Sequence, residues 1–394
     1  MSGSTALETL RERLENKRRR GLGRVLRPVG PASGPWVSVD GQRVLLMASN
    51  DYLGLARHPR LAAAAAEAAA RHGSGSAASR LVSGTLELHQ DLEKRIAAFK
   101  GTEAALFFAT GYMANLGAVA GLADRGDYVV SDALNHASLI DACRLARATL
   151  RVYPHCDAAR AAELLAEAPE GALKLLVTDG VFSMDGDMAP LPALLGAARR
   201  HGALLVVDDA HATGVWGPRG RGSLDHFGLA PTPELVTVGT FSKALGGLGG
   251  FVAGATAVID SLVHNARSFL YTTAPPPAQV AAAAAALALV DEEAWRRQRL
   301  RQLCAGFRAR LEGMGFSLLS PAGPIVPLMV GGAQPALDLA AGLLRRGVLA
   351  PAMRPPTVPE GTSRIRLTVT AAHDEQDLET AAQALLAASQ EAGS

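Results

Sequence analysis

Four runs of aliphatic and β-branched residues constrain this chain more than any other feature: DYVVSD (127–132), LKLLVTDGVFS (173–183), ALLVVDDAH (203–211) and ELVTVGTFSK (234–243). Each is apolar at consecutive rather than alternate positions, so a strand built from it must be covered on both faces. That is the pattern of a parallel sheet with helices on each side. Helix-patterned segments, HASLIDACRLARA and LPALLGAARRHG, stand between the runs, and AALFFA and LRVYPH supply further strands. Alternating units of this kind predict an α/β fold around a mostly parallel sheet. Nearly every run also ends in polar residues: Ser131-Asp132, Asp179 and Ser183, Asp208-Asp209 with His211, and Thr240, Ser242 and Lys243. Ligands of open α/β sheets sit at the carboxyl ends of the strands, so these groups point to one site.

With 394 residues, 48% of them hydrophobic, the chain can form one large domain and a smaller one. We expect an N-terminal helix and short hairpin arm over residues 1–45, a large domain over 46–275, and a smaller C-terminal α/β domain over 276–394. The first comes from the Leu7, Leu10 and Leu14 spacing; the last begins where Pro275–Pro277 interrupt regular structure. Net charge is +2, which calls for no nucleic acid or other polyanionic partner, and Lys17–Arg20, without interleaved aromatics, reads as a solvated helix face. The longest apolar run, Val280–Val290, is too short and Ala-rich to cross a membrane, and the start of the chain lacks the apolar core of a signal peptide. A cytoplasmic protein is expected. Cys143, Cys156 and Cys304 are odd in number, far apart and without metal-ligand spacing, which implies a reducing compartment, no disulfide framework and no metal.

The segment TVGTFSKALGGLGGFVAG (237–254) places its glycines after the lysine, the reverse of a phosphate-cradling P-loop, and no dinucleotide fingerprint opens a helix elsewhere. What remains is a strand end with two hydroxyls beside a lysine. Hydroxyls there can hold a phosphate monoester while the amine faces a carbonyl carbon, which suits pyridoxal phosphate as well as it suits a solvated lysine in a loop. Such a cofactor needs a buried carboxylate on its ring nitrogen, and Asp208 is the first acid at its strand end. His211 is spaced to reach a phenolic oxygen; the bland alternative for Asp-Asp-Ala-His is a helix N-cap with a satisfied histidine. Gly111-Tyr112 open a helix whose amides attract phosphate, and His136 stands at a strand-to-helix turn where a flat ring can stack. Asp185-Gly186-Asp187 is too short for a calcium loop and reads as a turn.

The set SNDYLGL, GYMANLG, NHASLID, TDGVFSMDGD, VDDAHATGVWG and GTFSKALGGLGGFVAG resembles the α-oxoamine synthase family of fold-type I pyridoxal-phosphate enzymes, over roughly Arg24 to His373. The resemblance implies a large domain with a mostly parallel, seven-stranded-type sheet between helices. It implies Lys243 as the lysine that binds the cofactor as a Schiff base and then acts as base at the amino acid's Cα. It further implies Asp208 on the ring nitrogen, His211 on the phenolic oxygen and His136 stacked on the ring. The phosphate falls to Gly111, Tyr112, Ser183, Thr240 and Ser242, with Thr272 or Thr273 reaching in from the partner of a homodimer with shared sites. Arg366 takes the amino-acid carboxylate with Asn50 beside it, while an exposed strand arginine describes Arg364 better. Arg24 and Thr357 fall at positions that contact the acyl substrate. The segments YTTAPPP and MRPPTVPEGTSRIRLTVTAAH resemble the biotin-pathway members, which implies L-alanine and a pimeloyl thioester, on coenzyme A or acyl carrier protein. Ala212 and Ser242 stand where glycine is common in that branch, so glycine or serine as donor stays open. A non-catalytic scaffold of the same fold is the rival class; such subunits generally lose the lysine, and here Lys243, Asp208, His136 and His211 are all present.

Overall fold

The computed structural model describes residues 5–393. The chain divides into two compact units, one of residues 50–300 and one that joins the chain up to Ser49 with Arg301 onward.

The larger unit is built on a seven-stranded sheet in the order Ala104–Phe108, Gly250–Gly254, Leu235–Thr240, Leu204–Asp208, Lys174–Asp179, Tyr128–Asp132, Thr149–Tyr153. Gly250–Gly254 runs antiparallel to both its neighbours and the other pairings are parallel. Successive side chains of a strand point to opposite faces, and the core divides accordingly. Val129, Leu175, Val177, Val206, Val236 and Val238 pack with the helices Gly111–Ala120, Ala137–Ala146 and Thr256–Asn265. Tyr128, Val130, Leu176, Leu205, Val207 and Leu235 pack on the other face with Ala158–Ala166 and Leu191–His201. Each doubly apolar run is thus buried twice over, and the polar residues gather at its carboxyl end.

The unit boundary differs from the one expected at residue 275. The proline run does not close the larger unit, because its backbone is tied into it: Ala274 N–H donates to the Ala78 carbonyl, and Ser76 Oγ and His89 Nε2 donate to that of Pro275. Pro277 then occupies the first turn of the helix Pro277–Glu292, where a missing N–H costs nothing. That helix packs on Pro59–His72 and Glu87–Lys100.

In the smaller unit the N-terminal arm is not a separate body. The hairpin Trp36–Val39/Gln42–Leu46 takes Val348–Leu349 as a parallel neighbour, Met47 N–H donates to the Leu349 carbonyl, and Thr368 N–H donates to that of Met47. Trp36 Nε1 donates to Asp377 at 2.8 Å. A second sheet places Ser363–Thr368 between Ile325–Gly331 and Ala352–Met353. Every residue of that central strand is buried, Arg364 at 3% exposure included, so Arg364 is not the exposed arginine expected of it. The helix Ala6–Arg19 buries none of its residues, and Leu7, Leu10 and Leu14 form an open stripe along it. No helix among the described residues is long and apolar enough to cross a membrane.

Candidate active site

Lys243 follows the strand Leu235–Thr240 in a tight turn. Gly246 takes φ 64° there, and a Cβ on it would stand 2.4 Å from the Ala56 amide nitrogen, so only glycine fits. The half-buried amine meets His211 Nε2 at 2.9 Å; His211 Nδ1 lies 2.6 Å from Tyr52 Oη, which donates to Asn50 Oδ1 at 3.3 Å. One direction of donation serves these contacts. Tyr52 has a single proton and spends it on Asn50, so His211 Nδ1–H donates to Tyr52 and Nε2 accepts from Lys243. Tyr52 escaped the sequence reading, although it lies inside the SNDYLGL motif.

Asp208 ends its strand 5% exposed. Asn115 Nδ2 donates to its Oδ2 at 2.6 Å and Ala210 N–H to its Oδ1 at 2.9 Å. Donors on both oxygens stabilise the ionised form. Asp179 stands directly beside it in register on the adjacent strand and is also buried. Its pKa is raised well above the carboxylate range, by burial first and by the Asp208 charge second, against the His136 N–H that donates to it at 2.9 Å. Two buried carboxylates side by side cannot both ionise at ordinary cost, and of the two it is Asp179 whose proton is held to higher pH, while both oxygens of Asp208 accept hydrogen bonds. His136 caps the helix Ala137–Ala146, with Nδ1 2.7 Å from Ser138 Oγ. Desolvation holds its pKa below the ordinary value; Asp208 opposes that and Lys243 adds to it. A neutral imidazole with Nδ1 occupied presents a flat face.

Around Gly111 the structure narrows. A Cβ there would lie 3.1 Å from both Cβ and Oγ1 of Thr240, and Thr110 caps the helix through Met113 N–H. Thr240 is 4% exposed and donates to the Gly249 carbonyl at 2.8 Å, while Ser242 Oγ, 2.8 Å from Thr240 Oγ1, belongs to an exposed residue. Of the two hydroxyls, that of Ser242 is therefore the better placed for an anion. Tyr112 is 42% exposed and donates to Asp141. Ser183 is half-buried in the turn that Gly186 N–H closes on the Phe182 carbonyl. That turn is fixed further by His155, whose Nδ1 meets Asp132 at 3.0 Å and Nε2 meets Asp187 at 2.8 Å. Those two carboxylates push its pKa up to about 12.

Lys243, His211, Asp208, His136, Gly111, Tyr112, Ser183, Thr240 and Asn50 all belong to the larger unit; Arg24, Thr357 and Arg366 belong to the smaller one. There Arg366 is buried, with Nη1 donating to Thr368 Oγ1 at 3.3 Å, and Arg24 and Thr357 are exposed. Arg354 donates to the carbonyls of Gly21 and Gly23, both at 2.6 Å, and so anchors the backbone just before Arg24.

Residues 42–385 match the family Aminotransferase class I and II. The chain belongs to that family. It sits in the α-oxoamine synthase branch, as its relatives show. An 8-amino-7-oxononanoate synthase of Geobacter sulfurreducens is 51% identical over 382 residues, covering 96% of this chain and 97% of that one. A solved serine palmitoyltransferase with pyridoxal phosphate as an internal aldimine superposes with a TM-score of 0.93 at 31% identity, over 99% of this chain and 100% of that one. An 8-amino-7-oxononanoate synthase from Francisella tularensis superposes at 0.76 with 27% identity, over 88% and 98%. The family places the fold as a fold-type I transferase.

Proposed function

We infer that this chain is a pyridoxal-phosphate enzyme that condenses L-alanine with a pimeloyl thioester, releasing carbon dioxide and the thiol and forming 8-amino-7-oxononanoate for biotin synthesis. The observation that carries the reading is near full-length identity of 51% to a synthase of that name, in a chain that keeps Lys243, Asp208, His211 and His136 in one cluster.

The residues present fit the cofactor. A buried, doubly hydrogen-bonded Asp208 matches a protonated ring nitrogen, and the Asn115 Oδ1 beside it is buried without a partner. Gly111 leaves room at a capped helix start next to the exposed Ser242, which suits a phosphate. When bound, pyridoxal phosphate withdraws electrons from the amino acid's Cα, so that its bonds to hydrogen and to the carboxylate can break.

Asp208 would face the ring nitrogen, and the raised pKa of Asp179 beside it favours a single charge on the pair. Lys243 Nζ anchors the cofactor and then takes the proton from alanine Cα; His211 Nε2, 2.9 Å away, holds the amine in line. The Asn50–Tyr52–His211 chain orients the imidazole, and His211 would face the cofactor's phenolic oxygen beside the Lys243 amine. His136, neutral, covers the ring's open face. Arg366 binds the alanine carboxylate by its planar fork, and Arg24 and Thr357 serve the acyl chain. In balance, alanine Cα bonds to the thioester carbonyl carbon as the C–S bond breaks and thiol leaves. The carboxylate then departs as carbon dioxide and a proton takes its place. A homodimer with Thr272 or Thr273 reaching the neighbouring site is part of the reading.

The test is thiol release by cofactor-loaded protein, with alanine, glycine and serine crossed against pimeloyl-, acetyl-, succinyl- and palmitoyl-coenzyme A, and alanine with pimeloyl-acyl carrier protein. Release confined to alanine with a pimeloyl donor is the expected result. Release with serine and the palmitoyl thioester would transfer the chain to the activity named for its structural neighbours.

A further inference from the structure

The turn that carries Ser183 contains a second cluster of chemically active groups that the proposed reaction does not use. Asp132, at the end of the strand Tyr128–Asp132, has a fully buried side chain and is held on every side. Its Oδ1 accepts from Leu134 N–H at 2.8 Å and lies 3.0 Å from His155 Nδ1, and its Oδ2 accepts from Cys156 N–H at 2.8 Å. This carboxylate fixes Nδ1 of His155 as a donor and turns Nε2 outward. Phe182 sets its ring edge against the imidazole at 4.3 Å between centroids and blocks rotation. Cys156 adopts φ 59°, a left-handed conformation that directs its side chain back toward His155.

Three donor atoms then face one another. His155 Nε2 lies 2.8 Å from Asp187 Oδ2, Cys156 Sγ lies 3.6 Å from His155 Nε2, and the same sulfur lies 3.9 Å from Asp187 Oδ2. With metal–ligand bonds of about 2.0–2.3 Å, tetrahedral geometry separates donor atoms by about 3.3–3.8 Å. The two edges to sulfur are near that spacing, and the 2.8 Å Nε2–Oδ2 edge is a hydrogen bond that a metal ion would replace and widen. Asp187 Oδ1 is buried and has no hydrogen-bond partner.

We propose that Cys156, His155 and Asp187 bind a thiophilic divalent cation such as zinc, with Asp132 orienting the histidine. The donor set of thiolate, neutral imidazole and carboxylate balances the charge of the ion, and binding releases the thiol proton and the Nε2 proton. A carboxylate behind a ligating histidine is the arrangement that fixes ring orientation and raises ligand basicity in metal sites. Water, or the Met188 carbonyl at 3.8 Å from Cys156 Sγ, completes four-coordination. Cysteine spacing cannot reveal such a site, because it has one cysteine and its donors come from the ends of two strands, Thr149–Tyr153 and Lys174–Asp179, with Asp132 oriented from a third.

The experiment uses reduced, cofactor-loaded protein freed of trace metals. Zinc is added, stoichiometry is read by equilibrium dialysis, and the coordination shell by zinc X-ray absorption. A single bound zinc per chain with one sulfur at about 2.3 Å is expected. Cys156→Ser should remove the sulfur from the shell and weaken binding at least tenfold, and Asp187→Asn should weaken it with the sulfur retained. Cys304→Ser should change neither. Absence of stoichiometric binding, a shell without sulfur, or a sulfur that persists in Cys156→Ser would overturn the proposal. None of these readouts depends on catalysis, so they stand apart from the assigned reaction.

Discussion

Asp179→Asn tests the assignment of one proton to the Asp179/Asp208 pair. The two side chains leave adjacent parallel strands in register, both are buried, and only Asp208 has donors on both oxygens. With its folded pKa raised, Asp179 binds a proton in the native state that it lacks in the unfolded chain once pH exceeds the ordinary carboxylate value. The unfolded state then holds fewer protons, so this group's contribution is complete below that ordinary value and is lost as pH rises through the raised one. Within that window the slope is about 1.4 kcal/mol per pH unit for a single proton. A 394-residue chain has an unfolding entropy of about 0.8 kcal/mol/K, so each pH unit lowers Tm by about 2 °C on this account. Asparagine keeps the shape and the acceptor for His136 N–H but cannot titrate. Asp179→Asn should therefore cost less than about 1 kcal/mol at neutral pH, and should flatten the decline in Tm above the ordinary carboxylate value by about 2 °C per pH unit within the window. Differential scanning calorimetry of cofactor-free protein at a series of pH values measures both. A slope equal to wild type, or a loss of several kcal/mol at neutral pH, would show that Asp179 is ionised and the assignment is wrong.

Three further outcomes are expected. Lys100→Met strands Asp209 without the ammonium that lies 3.0 Å from it in the core, and should cost about 3–5 kcal/mol in denaturant unfolding; a loss near zero would mean that Ser223 alone satisfies the carboxylate. Arg366→Lys gives up the bidentate fork and should raise the KM for alanine about tenfold to a hundredfold with a smaller effect on kcat, and an unchanged KM would remove Arg366 from the carboxylate site. Tyr52→Phe removes the acceptor of His211 Nδ1–H and should lower kcat about tenfold with little change in stability or cofactor affinity, whereas unaltered kcat would reduce the relay to packing.

The sheet was readable because burial on both faces leaves a pattern that helix and hairpin segments do not share. Its polar strand ends were readable for the same reason: a run such as ALLVV can stop only where the helical layers stop. The pairings were not. Tyr52 meets His211 across 159 positions, Asn115 meets Asp208 across 93, and Lys100 meets Asp209 across 109. No periodicity links such residues, and each is an ordinary polar group in its own segment. The proline run misled for a related reason. Prolines stop one element, but Pro277 also begins the next, and what decides the unit is the Pro275 carbonyl's bonds to Ser76 and His89.

Asp208-Asp209 shows how one more residue of strand separates two roles that a sequence presents as a doublet. Both acids are buried, so their chemistry rests on their partners. Asp208, the last strand residue, accepts from two neutral donors, Asn115 Nδ2 and Ala210 N–H, and has no ion-pair contact among the described residues. Asp209 points elsewhere and is neutralised there: Lys100 Nζ lies 3.0 Å away and also donates to Thr213 Oγ1 and the Arg221 carbonyl, while Ser223 donates to Asp209 through both N–H and Oγ. A buried carboxylate with its own cation has nothing left to offer a ligand, and one without a cation is stable only if something positive arrives. The strand therefore ends in one closed ion pair and one carboxylate held by neutral donors alone. Asp209 also holds the loop that carries His211, because the Ala212 and Thr213 N–H groups both donate to its backbone carbonyl, which leaves Asp208 as the carboxylate of the doublet open to the proposed ligand.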